Sequence, residues 1–178
     1  MRLVTALLIG VALAASPALA RAQKSAAPAP GFEYLGTMQV QTGTRTVVEN
    51  GPQGTRTIVQ IVSGRFEGPR LKAAVQIPAG DWITNRADGS YRLDVRLTLK
   101  TDDGALILVT YPGVIDLGED GYDRFLRGEL PASARIRTSP RFATSHPRYL
   151  WLNRLHCIGI GEYVAANNRA TYDVYAVR

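Results

Sequence analysis

The chain has 178 residues, of which 46% are hydrophobic and 20% are charged, a length that leaves room for one domain with a core of its own. Its only cysteine, Cys157, excludes an intramolecular disulfide, and its apolar neighbours indicate a buried, inert thiol. The net charge is +6, but the basic side chains are scattered instead of forming a stripe with interleaved aromatic residues, so we expect no nucleic-acid partner.

The N-terminus has the order of segments found in secretory signal peptides. Met1 and Arg2 precede an apolar run to Ala15, and two cleavage sites of the small-x-small type end at Ala20 and Ala22. The run is shorter than the about 20 residues of a membrane-spanning helix, so we expect no stable membrane anchor. The pattern predicts a signal peptide over residues 1–22, a disordered Ala- and Pro-rich leader over 23–30 and a domain over 31–178. The protein is therefore expected to be exported, either to the periplasm or out of the cell.

Short β-type runs between turn signals fill the predicted domain. Two of the connections carry Asp-Gly, which suits tight hairpins. One short helix is predicted over 122–127, with Asp120 as its cap and Gly128 at its end. Eight or nine strands at this spacing predict an all-β barrel or sandwich; the runs span residues 32–40, 55–62, 71–77, 81–85, 91–100, 105–111, 134–139, 149–160 and 171–177.

Two of these strands have faces of different character. In 91–100, alternation puts four apolar residues on one face and Asp94 and Arg96 on the other. The charged face either meets solvent around an apolar core or points into a polar barrel lumen, since alternation does not say which face is inside. In 149–160, one face carries Tyr149, Trp151 and Asn153, which suits a small-molecule pocket but also an ordinary sheet face near a rim.

Several separated blocks of the sequence occur in the order typical of one bacterial family. They are Gly64-Arg65-Phe66-Glu67-Gly68-Pro69-Arg70-Leu71, Asp81-Trp82, Arg86-Ala87-Asp88-Gly89, Leu93-Asp94-Val95-Arg96, Thr101-Asp102-Asp103-Gly104-Ala105, Arg137-Thr138, Pro140-Arg141-Phe142, Thr144 and Tyr149-Leu150-Trp151-Leu152-Asn153. In these blocks the chain resembles the domain-of-unknown-function 3237 family over about residues 32–177. The resemblance implies a single antiparallel β-barrel, calycin-like and related in shape to allene oxide cyclase barrels, and it implies no settled activity.

Two carboxylates are candidates for proton transfer. Glu67 lies between Gly64 and the Gly68-Pro69 pair; in a partly apolar cavity its pKa would rise and it could act as a general base. The alternative is an ion pair with a neighbouring arginine. Asp94 and Arg96 form the preferred pair: if their face is the lumen, Arg96 holds an anionic or carbonyl oxygen and Asp94 orients or accepts a proton.

The leading functional hypothesis is a lumen that binds a small, partly apolar molecule with an aromatic, carbonyl or acid group, joined to cofactor-free isomerase or lyase chemistry. Asp94 or Glu67 would handle the proton. Trp82, Trp151 and Tyr149 would supply apolar walls, and Arg96 and Asn153 would polarise oxygen. No cofactor fingerprint and no metal-ligand spacing occurs in the sequence, so neither a cofactor nor a metal is expected. The competing hypothesis is a structural or interaction barrel with a packed core, and a homo-oligomer is open under either one.

Overall fold

The computed structural model describes residues 29–129 and 131–178. The predicted signal peptide and most of the predicted leader lie outside these residues. The described part contains the strands β1 (Phe32–Gly51), β2 (Gly54–Glu67), β3 (Lys72–Asn85), β4 (Ser90–Thr101), β5 (Leu106–Asp116), β6 (Ser133–Thr138), β7 (Arg141–Ala143), β8 (Cys157–Val164) and β9 (Arg169–Val177), the helix α1 (Gly121–Leu126), and the 3-10 segments Pro147–Arg154 and Ala165–Asn167. Within them, no helix has the length and apolar character needed to cross a membrane.

Eight of the strands close into one antiparallel barrel. Their order is β4-β3-β2-β1-β9-β8-β6-β5, and the pairing of β4 with β5 closes the ring. β7 is the extra strand, and it pairs with β5 beyond the end of β6. The prediction of an all-β antiparallel barrel with one short helix is confirmed.

The interior of the barrel is apolar on β4. Leu93, Val95, Leu97 and Leu99 are buried and point inward, whereas Asp94 lies on the outer face. Of the two interpretations of this strand, the apolar core face is therefore correct, and the placement of the charged face in the lumen is wrong. The physical reason is that leaving a row of charged side chains in water costs much less than enclosing them in a small apolar barrel.

The predicted strand 149–160 is a strand only from Cys157 onward. The preceding residues form the 3-10 segment Pro147–Arg154, with proline at its first turn, where the fixed φ angle favours helical backbone. A 3-10 helix repeats every three residues, so Tyr149 and Leu152 share its buried side. The predicted pocket face of Tyr149, Trp151 and Asn153 is therefore wrong, and this segment packs its apolar side against one end of the barrel instead.

The lumen has a packed half and an open half. Next to the 3-10 segment, large side chains fill the interior, among them Met38, Phe66, Leu97, Leu99, Ile107, Val109, Leu152 and Val174. Toward α1, the inward side chains enclose a cavity of ≈ 370 Å³. Cys157 is buried in the packed half, and burial raises the pKa of its thiol to about 11, as expected for an inert cysteine.

The two halves predict different costs for the same substitution on one strand. Leu99 is 0% exposed in the packed half, and Leu93 is 7% exposed on the cavity wall. Leu99→Ala opens a new void and is expected to lower the free energy of unfolding by about 3–5 kcal/mol, whereas Leu93→Ala enlarges an existing cavity and should cost about 1–2 kcal/mol less. Urea unfolding of the two variants measures this difference, and equal losses would contradict the division of the lumen.

Candidate functional site

The cavity in the open half of the lumen is the candidate site. Its walls are mainly aliphatic and aromatic side chains from the barrel strands, together with Phe125 of α1. Its volume lies at the lower end of the range of about 300–1,000 Å³ found for small-molecule sites. Polar side chains on the wall come from several strands and from the turn before β9: Thr42, Thr44, Arg45, Thr57, Asp81, Tyr91, Tyr111, Thr138, Tyr163, Asn168 and Tyr172.

Asp81 is the acidic residue of the cavity wall. It lies in β3 on the same face as Val75 and Ile83, which point into the barrel, and it is only 9% exposed. The ladder between β3 and β4 is interrupted: Asp81 pairs with Val95 and Thr84 pairs with Arg92, but the residues between these two pairs are not paired. In this gap the backbone N–H of Asp94 donates to Oδ1 of Asp81 at 2.9 Å. A carboxylate thus occupies a place where a strand would normally supply a backbone carbonyl.

The surroundings of Asp81 bring its ionisation close to neutral pH. Burial in the cavity raises the pKa of the Asp81 carboxyl to about 7. The hydrogen bond from the Asp94 amide opposes this shift, and the nearby Asp94 carboxylate adds to it. A carboxyl group with this pKa can both accept and release a proton near pH 7.

Two tyrosines provide hydrogen-bond donors in the same cavity. Tyr111 lies at the level of Asp81, because the register joins Asp81 to Val95 and Val95 to Tyr111. The Tyr172 hydroxyl donates to the Tyr111 hydroxyl, and the two rings meet edge to face with centroids 5.7 Å apart. Burial raises the pKa of both phenols, so both stay protonated. Tyr111 therefore keeps its own proton for an oxygen in the cavity.

Three buried polar atoms at or beside the cavity have no hydrogen-bond partner among the described residues. They are the Thr138 hydroxyl, the Tyr91 hydroxyl and Nδ2 of Asn85. The side-chain oxygen of Asn85 is satisfied, since Thr57 donates to it at 2.7 Å. Because a buried unpaired polar group is costly, these atoms mark places where a bound molecule or water would form hydrogen bonds.

None of the seven site residues proposed from the sequence lines this cavity. Asp94 and Arg96 form an ion pair of 3.1 Å on the outer face, with side chains 51% and 64% exposed, so their predicted position in the lumen is wrong. Trp82 is also on the outer face, where the Arg96 guanidinium lies 5.8 Å from its ring centre. Alternation correctly placed Asp94 and Arg96 on one face of β4, but the opposite, apolar face of the strand is the one that points into the barrel.

Glu67 is an exposed residue at the end of β2. Its carboxylate lies 3.5 Å from Nε of Arg65, which is the alternative that the sequence had left open, and its predicted position in a partly apolar cavity is wrong. The bracketing glycines have a packing reason: a Cβ on Gly68 would come within 1.9 Å of the Leu35 carbonyl oxygen.

The other three proposed residues lie in the 3-10 segment beside the packed half of the lumen, where their side chains make structural contacts. The Tyr149 hydroxyl donates to the Asp103 carboxylate at 3.3 Å. The Asn153 side chain bonds the backbone N–H and C=O of Thr144, each at 2.9 Å. The guanidinium carbon of Arg70 lies over the ring of Trp151, 3.8 Å from the ring centre.

A signal for the missed residues was present in the sequence. Asp81 alternates in phase with Ile83, and Tyr111 alternates in phase with Ile107 and Val109. A polar residue in phase with apolar ones is a candidate for the interior of a barrel. Across the part of the chain that the structure describes, no group of three or more His, Cys, Asp or Glu side chains could hold a metal ion.

Comparisons with known proteins give the family. A family model described as "Protein of unknown function (DUF3237)" matches residues 30–177, which confirms the resemblance predicted from the motifs. A UPF0311 protein of Rhodopseudomonas palustris is 28% identical over 147 residues, covering 82% of this chain and 95% of that protein. The crystal structure of a conserved protein of unknown function from that organism has a TM-score of 0.76 and 27% identity, covering 85% of this chain and 100% of its own.

One relative has a named activity. The hydroalkoxylation enzyme phnH of Penicillium herquei is 26% identical over 130 residues, which are 73% of each protein.

The raised pKa of Asp81 predicts a pH-dependent loss of stability. Between about pH 4 and pH 7 the folded protein keeps a proton that the unfolded chain releases, so the free energy of unfolding falls as the pH rises through this window. Asp81→Asn has no carboxyl to ionise. From pH 4 to 8, its stability relative to the wild type should rise by up to about 4 kcal/mol, at about 1.4 kcal/mol per pKa unit. Denaturant unfolding at each pH measures this change.

Asp102→Asn is the matched control, because Asp102 is an exposed carboxylate in the turn after β4, seven residues along the chain from Val95, the partner of Asp81. Its stability should follow the wild type at every pH. Parallel pH curves for Asp81→Asn and the wild type would contradict the buried position of Asp81.

Proposed function

The chain belongs to the DUF3237 family of proteins of unknown function, and from that premise we propose that its lumen binds a small, largely apolar molecule and transfers a proton within it. The observation that carries this proposal is the buried Asp81 carboxyl, which faces an apolar cavity with a pKa of about 7. A structural role would be served better by an apolar residue, since burying a carboxyl group costs stability. Placing such a group in a cavity is typical of an acid–base site.

The walls support a flat, unsaturated ligand. The cavity is lined on most sides by Val, Ile and Leu side chains, with tyrosine and phenylalanine rings among them. Tyr111 and Thr138 offer hydroxyl groups at separate points of the wall. A molecule with one or two rings and a carbonyl or hydroxyl oxygen would match this distribution of apolar surface and donors. The fully packed lumen of the non-enzymatic alternative is not supported, because the lumen contains a cavity of ≈ 370 Å³.

We propose addition of a hydroxyl group to a carbon–carbon double bond as the reaction class, by analogy with the hydroalkoxylation enzyme. The Asp81 carboxylate takes the proton of a ligand hydroxyl, and that oxygen attacks an alkene carbon conjugated to a carbonyl. The π electrons move to the carbonyl oxygen, which accepts a hydrogen bond from Tyr111. Asp81 then returns the proton to the remaining alkene carbon. One O–H bond and the π bond of the alkene are broken, and one C–O and one C–H bond form, so the intramolecular reaction is an isomerisation.

We also propose that the protein acts after export. The support is the order of charged, apolar and small residues at the N-terminus. The proposed chemistry suits that location, because every proton step uses a side chain of the barrel itself.

A chalcone with a hydroxyl group ortho to its carbonyl tests the reaction, since closure to the flavanone removes its absorbance. We expect the wild type to accelerate closure, with a rate above background that rises with pH around a midpoint of about 7 as Asp81 ionises. Asp81→Asn should lose at least about 100-fold of this rate, the usual contribution of a general base. Tyr111→Phe should lose about 100-fold, since one oxyanion donor is removed.

Asp102→Asn again serves as the control for removing one carboxylate, and its rate should match the wild type. Retention of full activity in Asp81→Asn would overturn the assigned role of Asp81. Binding of the chalcone without any acceleration would overturn the reaction class.

A further inference from the structure

The outer end of the cavity has features that the proton chemistry does not use. Two irregularities in the pairing of β1 with β2 lie here: β2 has an extra residue between Ile61 and Ser63, and β1 has an extra residue between Thr42 and Arg45. Each bulge exchanges the inward and outward faces of its strand. As a result Arg45, paired with Val59, is on the cavity side, although alternation continued from Val40 would place it outside.

Arg45 has no carboxylate within ion-pair distance among the described residues. Glu49 is on the same face of β1 but four residues further along, about 13 Å by the rise of a strand. The guanidinium therefore brings an uncompensated positive charge to the rim of an apolar cavity. Such a charge in a partly enclosed site attracts an anion more strongly than it would on an open surface.

Two buried donors lie at the same end, where Phe125 shares a surface pocket with Arg45 and packs on the ring of Tyr91. Tyr91 lines the cavity and Asn85 is its partner across the β3–β4 ladder, and both side chains are more than nine-tenths buried. The Tyr91 hydroxyl and the Asn85 amide nitrogen have no hydrogen-bond partner in the described part of the chain. Burial raises the pKa of Tyr91 to about 12, and the phenol remains a donor. The Asn85 side chain, which is close to the Tyr91 hydroxyl but outside hydrogen-bond geometry, and the charge of Arg45 both oppose this shift. The Tyr91 ring is held edge-on by Phe125 at 5.7 Å.

We propose that Arg45, Tyr91 and Asn85 form an anchoring subsite for an anionic oxygen group of the ligand, a carboxylate or sulfonate, while the apolar body of the ligand extends toward Asp81. This inference rests on the proposed function and names its substrate class: an elongated aromatic or alkenyl acid. Asn85 and Asp81 are four residues apart on β3, about 13 Å, so an anion held by Asn85 and Tyr91 is at the opposite end of the ligand from the reacting atoms. The separation also keeps the anion away from the Asp81 carboxylate, which would repel it. Arg45 pairs with Val59, which pairs with Asp81. Its charge nevertheless acts on the Tyr91 phenol, so the guanidinium lies toward the anion.

Two fluorescent probes separate the charge from the shape of a ligand. Anilinonaphthalene sulfonate carries an anionic group, and phenylnaphthylamine has the same ring system without it. The dissociation constant of the sulfonate should rise about tenfold in Arg45→Gln and about fivefold in Tyr91→Phe, the loss expected for one charged and one neutral hydrogen bond. The dissociation constant of phenylnaphthylamine should change by less than about twofold in both variants.

Arg92→Gln is the matched control, because Arg92 is an exposed arginine on the outer face of β4 that pairs with Thr84 near the same end of the barrel. It removes the same charge and should leave binding of the sulfonate unchanged. Equal weakening in Arg92→Gln and Arg45→Gln would overturn the subsite, because the effect would then come from net charge. Equal weakening of both probes in Arg45→Gln would overturn it as well.

Val95→Phe distinguishes failure of this inference from failure of the proposed function. Val95 lies on the cavity wall beside Asp81, and a larger ring there narrows the space without adding charge. The anion subsite alone is overturned if Val95→Phe abolishes binding of phenylnaphthylamine and Arg45→Gln leaves binding of the sulfonate unchanged. If Val95→Phe leaves the binding of both probes unchanged, the subsite and the ligand-binding lumen are overturned together.

Discussion

Closure of the barrel by the pairing of β4 with β5 is the constraint on which the rest of the structure depends. A closed sheet has one inside, so the face that one strand turns inward determines the faces of its neighbours through the register. On β4 the alternating leucines and valine settle this choice, because they bury far more apolar area than the charged face could. Asp81 on β3 and Tyr111 on β5 then follow from the register, since both are joined to Val95.

The open half of the lumen follows from what covers each end of the barrel. The 3-10 segment and the ring of Phe66 fill one end, where Phe66 and Phe142 meet edge to face at 6.1 Å. At the other end the bulges in β1 and β2 and the small helix α1 leave space behind Phe125. The two ends of the barrel therefore differ: one is densely packed, and the other holds a cavity with unpaired polar atoms.

Asp81 and Arg45 show two ways in which a strand places a polar side chain inside a barrel. Asp81 keeps the alternation of its strand, and the backbone N–H of Asp94, which is unpaired in the gap of the β3–β4 ladder, donates a hydrogen bond to it. Arg45 reaches the cavity side because a bulge changes the phase of β1. The first arrangement places an acid deep in an apolar site, where its pKa rises; the second places a cation at the rim, where water still solvates it.

Local patterns in the sequence determined the strand content, the antiparallel barrel, the short helix and the family, because period-2 alternation, Asp-Gly turns and motif order are properties of short segments. They also paired Asp94 with Arg96 and Glu67 with an arginine correctly. Only the tertiary structure decided which face is inside, since alternation defines two faces and only their packing against other strands labels one as the interior. It likewise turned the segment around Trp151 into a 3-10 helix and joined Asp81, Tyr111 and Tyr172 from three strands into one cavity.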